Sequence, residues 1–304
     1  MNNAVVSEAE RTSVLDGQEM RWPLRHLTLA GVNWPAKEDV PTSQPPAVLL
    51  HGWLDNCLSF ARLAPRLQQS ANVYAVDMAG HGLSEHRPPG QGYLLADYVS
   101  DLAELIDSAF ETPVDLVGHS LGGIVTMMYA AAFPEKVRKL VVIDSFGPIA
   151  KPPKDAVSQL RRGILKRLSG SSQGARYPTV ENAASIRAGG LSPLSDTAAM
   201  TLVPRNLRQN PSGFEWRTDP RLRHPSLMMF SEEQVLAFLD AVTTDTLLIR
   251  ATQGLLSDLK RWQPRLDRVD SLKTVSIDGS HHCHLEGDIA PVADAIREFL
   301  TDDK

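Results

Sequence analysis

Cysteine is nearly absent from this 304-residue chain, which has only Cys57 and Cys283. Two thiols make no disulfide framework, so stability has to rest on a packed core, and both read as buried, reduced thiols. Long apolar runs are missing too. No stretch could span a bilayer, and the polar leader, with Glu8, Glu10, Arg11 and Asp16, carries no signal-peptide run. A soluble, cytoplasmic protein is therefore expected. Positive charge is not in excess: the net charge of −5 argues against a general nucleic-acid binder, which would need a basic face. No internal repeat is evident. What remains is ordinary for a globular chain, 42% hydrophobic and 22% charged, and long enough for one large domain with an insertion.

Short apolar runs alternate with helical patterns. Strands are expected at Met20–Leu29, around Gly31–Trp34, and at Ala47–Leu50, Val73–Val76, Val114–Val117 and Leu140–Ile143. Helices are expected at Leu58–Leu67, Leu94–Phe110 and Ser120–Phe133. This alternation predicts an α/β fold, a mostly parallel central sheet flanked by helices, with functional groups at the carboxyl ends of its strands. It stops for about a hundred residues and resumes at Thr246–Ile249 and Thr274–Ile277, ending in a helix over Pro291–Leu300. The expected organisation is a leader at 1–19, a core of 20–146 and 241–304, and a helical cap at 147–240. Between Gly147 and Asp240 there are 13 Lys/Arg against 8 Asp/Glu, a local balance of +5, and glycines at Gly170–Gly174 and Gly189-Gly190 punctuate the segment.

Gly118-His119-Ser120-Leu121-Gly122 follows the strand Val114–Val117 and opens an apolar helix, the context of a nucleophile elbow. Such a turn forces a strained backbone on the serine, and side chains two positions either side would clash. Ser120 is the candidate nucleophile; the competing reading is a glycine-rich turn with an incidental serine. Acyl transfer also needs two N–H donors for the developing oxyanion. Leu121, after the nucleophile, and Trp53, in His51-Gly52-Trp53 after an earlier strand, are the candidates, although Trp53 could be a packing aromatic in a tight turn.

A serine hydroxyl needs an imidazole to take its proton. His281, His282 and His284 follow the last strand through Gly279-Ser280. His281 is favoured as base, His282 is the alternative, and His284 reads as a packing or loop residue. The acid usually follows the strand Thr246–Ile249, but there Arg250-Ala251-Thr252-Gln253-Gly254 offers glycine instead of aspartate. Asp144, ending the strand Leu140–Ile143, is favoured, and Asp258 is the alternative acid. No carboxylate or cysteine cluster supports a metal at the late histidines.

Together these residues resemble the α/β-hydrolase family from about Met20 to Leu300. Asp77-Met78-Ala79-Gly80-His81-Gly82-Leu83-Ser84 looks like the family's D-x-x-G-H-G-x-S loop. Within the family the chain is most similar to the serine hydrolase-like group, through His51–Asn56, Ile143–Pro148 and Gly279–Glu286. The resemblance supports Asp144 as acid and His281 as base, and Gly254 is its departure from the commonest pattern. Ser120 argues against dehalogenase and epoxide hydrolase activity, which use an aspartate nucleophile on this fold.

In the cap, Leu160, Ile164, Leu165 and Leu168 form an apolar stripe, read as packed, with Arg161, Arg162, Lys166 and Arg167 pointing away; a basic entrance or contact with anionic lipid is the functional alternative. Phe214–Arg217 and Met228–Phe230 read mainly as cap core. The expected function is a serine hydrolase acting on a small-molecule ester or related acyl substrate, with no cofactor, metal, nucleic-acid partner or transmembrane segment. Hydrolysis of a carbon–carbon bond with the same triad is the alternative, as is a non-catalytic ligand-binding protein, which the missing acid at Gly254 keeps open.

Overall fold

A computed structural model describes residues 17–41, 43–170 and 175–302. Most of the expected leader, residues 1–16, and residues 171–174 of the glycine-punctuated stretch lie outside them. The strands are β1 (Gln18–Pro23), β2 (Thr28–Trp34), β3 (Ala47–Leu50), β4 (Val73–Asp77), β5 (Val114–His119), β6 (Val137–Ile143), β7 (Arg176–Tyr177), β8 (Leu207–Asn210), β9 (Gly213–Trp216), β10 (Thr246–Gln253) and β11 (Leu272–Ser280). Eight of them build one sheet in the order β1-β2-β4-β3-β5-β6-β10-β11. From β4 through β11 neighbouring strands are parallel; β2 pairs antiparallel with β1 and β4. The run Met20–Leu29, expected as one strand, contains a turn closed by Leu24 N–H on the Leu27 carbonyl at 2.8 Å, so it splits into a hairpin.

The short apolar runs are strands because both faces of the sheet are covered. Val48, Leu50, Val142 and Leu248 pack on one side with Leu102, Leu105 and Val125 of the flanking helices. Their neighbours Leu49, Val141, Ile143 and Ile249 point to the other side, against Leu63, Leu67, Val292 and Ile296. This is the period-2 alternation of a strand. Each large aliphatic side chain so buried contributes about 1.5–3 kcal/mol.

β6 and β10 are neighbours in the sheet, with Leu140–Ile143 in register with Thr246–Ile249. The chain between them therefore leaves and re-enters the sheet side by side. That segment is helical at Ala156–Ser169, Val180–Ala188, Asp196–Asn206 and Glu232–Asp240. It is not all helix, as expected, because β7, β9 and β8 form a three-stranded antiparallel sheet. Phe214 and Trp216 on β9 pack against the apolar cluster around Ala183 and Leu202, while Met228 stays 69% exposed. No helix among the described residues is long and apolar enough to cross a membrane.

Candidate active site

Among the described residues, three non-glycine ones have positive φ: Leu54 at 65°, Ser120 at 51° and Asp144 at 45°. They follow β3, β5 and β6, so the strain gathers at one edge of the sheet. Such backbone costs about 1–3 kcal/mol per residue and persists where surrounding packing enforces it. At Ser120 the enforcement is local. A Cβ on Gly118 would come within 2.5 Å of the Gly123 backbone, and one on Gly122 within 2.0 Å of the Leu50 carbonyl oxygen. Ser120 N–H bonds the Ile143 carbonyl at 3.1 Å, and Gly122 N–H bonds that of His51 at 3.0 Å. The second bond ties the turn to the loop after β3. Ser120 is the N-cap of the helix Leu121–Ala132, which aims its positive end at the site. Neither Trp53 nor Leu121 N–H has a backbone acceptor among the described residues. The Trp53 indole reaches the segment between β6 and β10, donating to the Leu222 carbonyl at 3.2 Å.

His281 Nδ1 lies 2.6 Å from Asp144 Oδ2. Asp144 is fully buried and also accepts backbone N–H bonds from Leu255 at 2.7 Å, Ala251 at 3.3 Å and Leu256 at 3.4 Å. A carboxylate only accepts, so Nδ1 carries a proton, and in the neutral ring the lone pair is then on Nε2. The backbone of His281 is anchored beside the elbow, since His119 Nε2 lies 3.0 Å from the His281 carbonyl and the two rings lie 4.5 Å apart. Gly254 now has a physical reason. A Cβ there would sit 2.1 Å from Asp144 Oδ2, so the carboxylate from β6 occupies the space a side chain after β10 would fill.

The two alternative residues go elsewhere. Asp258 is exposed and caps the helix Leu259–Leu266 by accepting from Arg261 N–H at 3.4 Å, because its position one residue before that helix suits a capping carboxylate. His282 is 1% exposed and packs its ring 4.9 Å from that of His119, with its Nε2 3.0 Å from Asp55 Oδ2 instead of Asp144. Asp55 also takes Arg187 from the helix Val180–Ala188 at 2.8 Å. Burial would raise the Asp55 carboxyl, but the charges and hydrogen bonds of His282 and Arg187 outweigh it and hold it well below the usual range. His284 bonds Ser59 at 2.9 Å. The sequence reading gave His119, Asp55 and Arg187 no role. Asp55 and His119 stood inside segments already singled out, but nothing local marks Arg187, whose partner is 132 residues away.

A carboxylate oxygen of Asp55 and ring nitrogens of His119 and His282 lie within 4.8 Å of one another, a set that could hold a metal ion. The Arg187 guanidinium on the same carboxylate opposes a second cation there, so the contacts present are those of a buried ion-pair network.

Four buried histidines give the fold a pH dependence. Burial pushes His51, His81, His119 and His284 below their ordinary value, His81 to about 3. Below about pH 6.5 the unfolded chain binds protons that these buried rings refuse, so stability present at higher pH is lost as pH falls. Asp115, pushed up to about 6 by burial despite Arg138, works in the opposite direction. Asp101, also raised by burial despite Arg87, adds to that opposition, but the lowered histidines outnumber the two carboxyls, so a net loss of stability is expected as pH falls from about 6 to about 5. Urea midpoints measured across that window should fall; a flat or rising midpoint would contradict burial of these rings as neutral groups.

The profile of the "Alpha/beta hydrolase family" matches residues 47–295. The chain is similar to a serine hydrolase-like protein of Danio rerio, 30% identical over 93% of this chain and 88% of that one. It is also similar to a 2-(acetamidomethylene)succinate hydrolase of Mesorhizobium japonicum, 37% identical over 55% of this chain and 65% of the relative. Among solved structures, a hypothetical protein from Pseudomonas aeruginosa PAO1 superimposes with a TM-score of 0.85 at 34% identity, covering 93% of this chain and 98% of that one.

Proposed function

The chain belongs to the alpha/beta hydrolase family, and from that premise we propose that it is a serine hydrolase, cleaving an ester or related acyl bond through an acyl-Ser120 intermediate. The observation that carries this reading is the 2.6 Å contact of His281 with Asp144 beside the strained elbow. In the proposed cycle, His281 Nε2 takes the Ser120 hydroxyl proton as Oγ attacks the acyl carbon. Asp144 holds the ring in this tautomer and stabilises the imidazolium. The N–H groups of Trp53 and Leu121 receive the oxyanion. Collapse of the intermediate expels the leaving group, protonated by His281, and water then repeats the sequence on the acyl-enzyme.

Residues 147–240 are proposed as a cap over this edge, with 20–146 and 241–304 as the core. Buried ties between the two support that division. Arg205 Nε lies 2.8 Å from Asp77 Oδ2, Arg187 lies 2.8 Å from Asp55, and Asn56 Nδ2 lies 2.8 Å from the Leu202 carbonyl. The glycine at 254 is what keeps a non-catalytic reading open, and Asp144 lying in the space beside it supports the catalytic one.

The reading is tested with a fluorophosphonate probe. Ser120 should be the labelled residue by peptide mass spectrometry, and Ser120→Ala should take no label. Labelling of another residue, or undiminished labelling of the variant, would reject the assignment.

A further inference from the structure

We infer that the helix Ala156–Ser169 is an interfacial docking helix that seats the protein on an anionic lipid surface. The helix is amphipathic, yet it is mounted with its apolar stripe outward. Its buried residues are Gln159 and Gly163. Gln159 Nε2 bonds the Ser226 carbonyl at 2.6 Å, and a Cβ on Gly163 would come within 2.7 Å of Leu227 Cδ2. Those two contacts hold the polar, small-residue side against the protein. At about 100° per residue, Val157, Leu160, Ile164, Leu165 and Leu168 then face the other way. They are 81%, 39%, 41%, 53% and 79% exposed. The stripe expected to be packed is therefore the exposed one. A single exposed leucine has no meaning, but a contiguous row on one helix marks a surface that binds something.

Charge selects the occupant. The helix carries Arg161, Arg162, Lys166 and Arg167 and no acidic residue, and Lys151 and Lys154 precede it, all in a chain of net charge −5. Two copies meeting symmetrically through this face would set +4 against +4, which disfavours a dimer of the chain there. The helix has 14 residues, too short to cross a bilayer. An exposed apolar stripe with Arg161 within it, one turn from Val157 and Leu165, and further cations beside it suits the headgroup boundary of an anionic leaflet. There the apolar side chains enter the acyl region, the long Arg161 stem reaches back to the headgroups, and each cation strengthens attraction about fivefold.

Vesicle co-sedimentation tests this with the full chain carrying Ser120→Ala, so the outcome is independent of the proposed hydrolysis. Binding is expected to phosphatidylcholine vesicles containing roughly 30 mol % phosphatidylglycerol, weakening as salt rises, and to be lost on pure phosphatidylcholine. Ile164→Glu with Leu168→Glu, and separately Arg161→Glu with Lys166→Glu, should each weaken it at least about tenfold. These side chains are exposed, so an unchanged circular dichroism melt shows that the variants fold. Absence of binding by the parent chain, equal binding to neutral vesicles, or parent-like binding by both variants overturns the proposal. A dimer on light scattering that Ile164→Glu dissociates also overturns it, in favour of a second copy.

Discussion

Ser120→Ala is expected to lower kcat for ester hydrolysis by about 10⁴- to 10⁶-fold, while KM changes little. Removing Oγ abolishes the acyl-enzyme route, and the only catalysis left is orientation of the substrate with N–H groups near its carbonyl. The helix Leu121–Ala132 and the bond from Gly122 N–H to His51 do not depend on the hydroxyl, so that residue-independent machinery stays in place. Alanine adopts the φ of 51° no more easily than serine, so the variant should melt close to the parent. Steady-state kinetics on short-chain esters, with melting followed by calorimetry, check both halves. A loss of less than about tenfold with the fold intact would show that Ser120 is not the nucleophile.

Asp144→Asn should cost about 10⁴-fold in kcat, near 5.5 kcal/mol of barrier, whereas Asp258→Asn should leave turnover within about twofold. An amide turned with its NH₂ toward His281 Nδ1 donates to the ring where the carboxylate accepted. The ring then carries its proton on Nε2, the nitrogen that has to receive the Ser120 proton. In that orientation Leu255 N–H, which shares Oδ2 with His281, also faces a donor, and the opposite flip presents the NH₂ instead to the N–H groups of Ala251 and Leu256. Asp144→Asn should therefore also lose about 1–3 kcal/mol of stability in urea unfolding. Asp258 has only one N–H to cap, on an exposed helix end, and its loss should be small in both assays. Equal losses in the two variants, or a larger one at Asp258, would move the acid away from Asp144.

Much of this was legible in the chain because the responsible interactions are short-range. The strands β3, β5, β6 and β10 were legible because parallel strands buried on both faces are mostly apolar, and each carries a short, largely apolar run that shows it directly. The tight strand-to-helix turn at Ser120 was legible because Gly118, Ser120 and Gly122 lie within five residues, and the clash that requires each glycine is with backbone nearby in the turn or on the adjacent strand. The hairpin inside Met20–Leu29 was not, since the apolar pattern runs through the turn that Leu24 and Leu27 close. Local pattern was enough for the α/β class, for Ser120 at a strand-to-helix turn and for the loop that carries the late histidines. Long-range packing was needed to show which of two adjacent histidines meets Asp144, why position 254 is glycine, and which face of the helix Ala156–Ser169 is turned to solvent. His281 and Asp144 are 137 residues apart, and a mounting choice made by Gln159 and Gly163 depends on Ser226 and Leu227 more than sixty residues on. Periodicity reports that a helix has two faces, but what each face meets is settled by packing between distant segments, which no local pattern encodes.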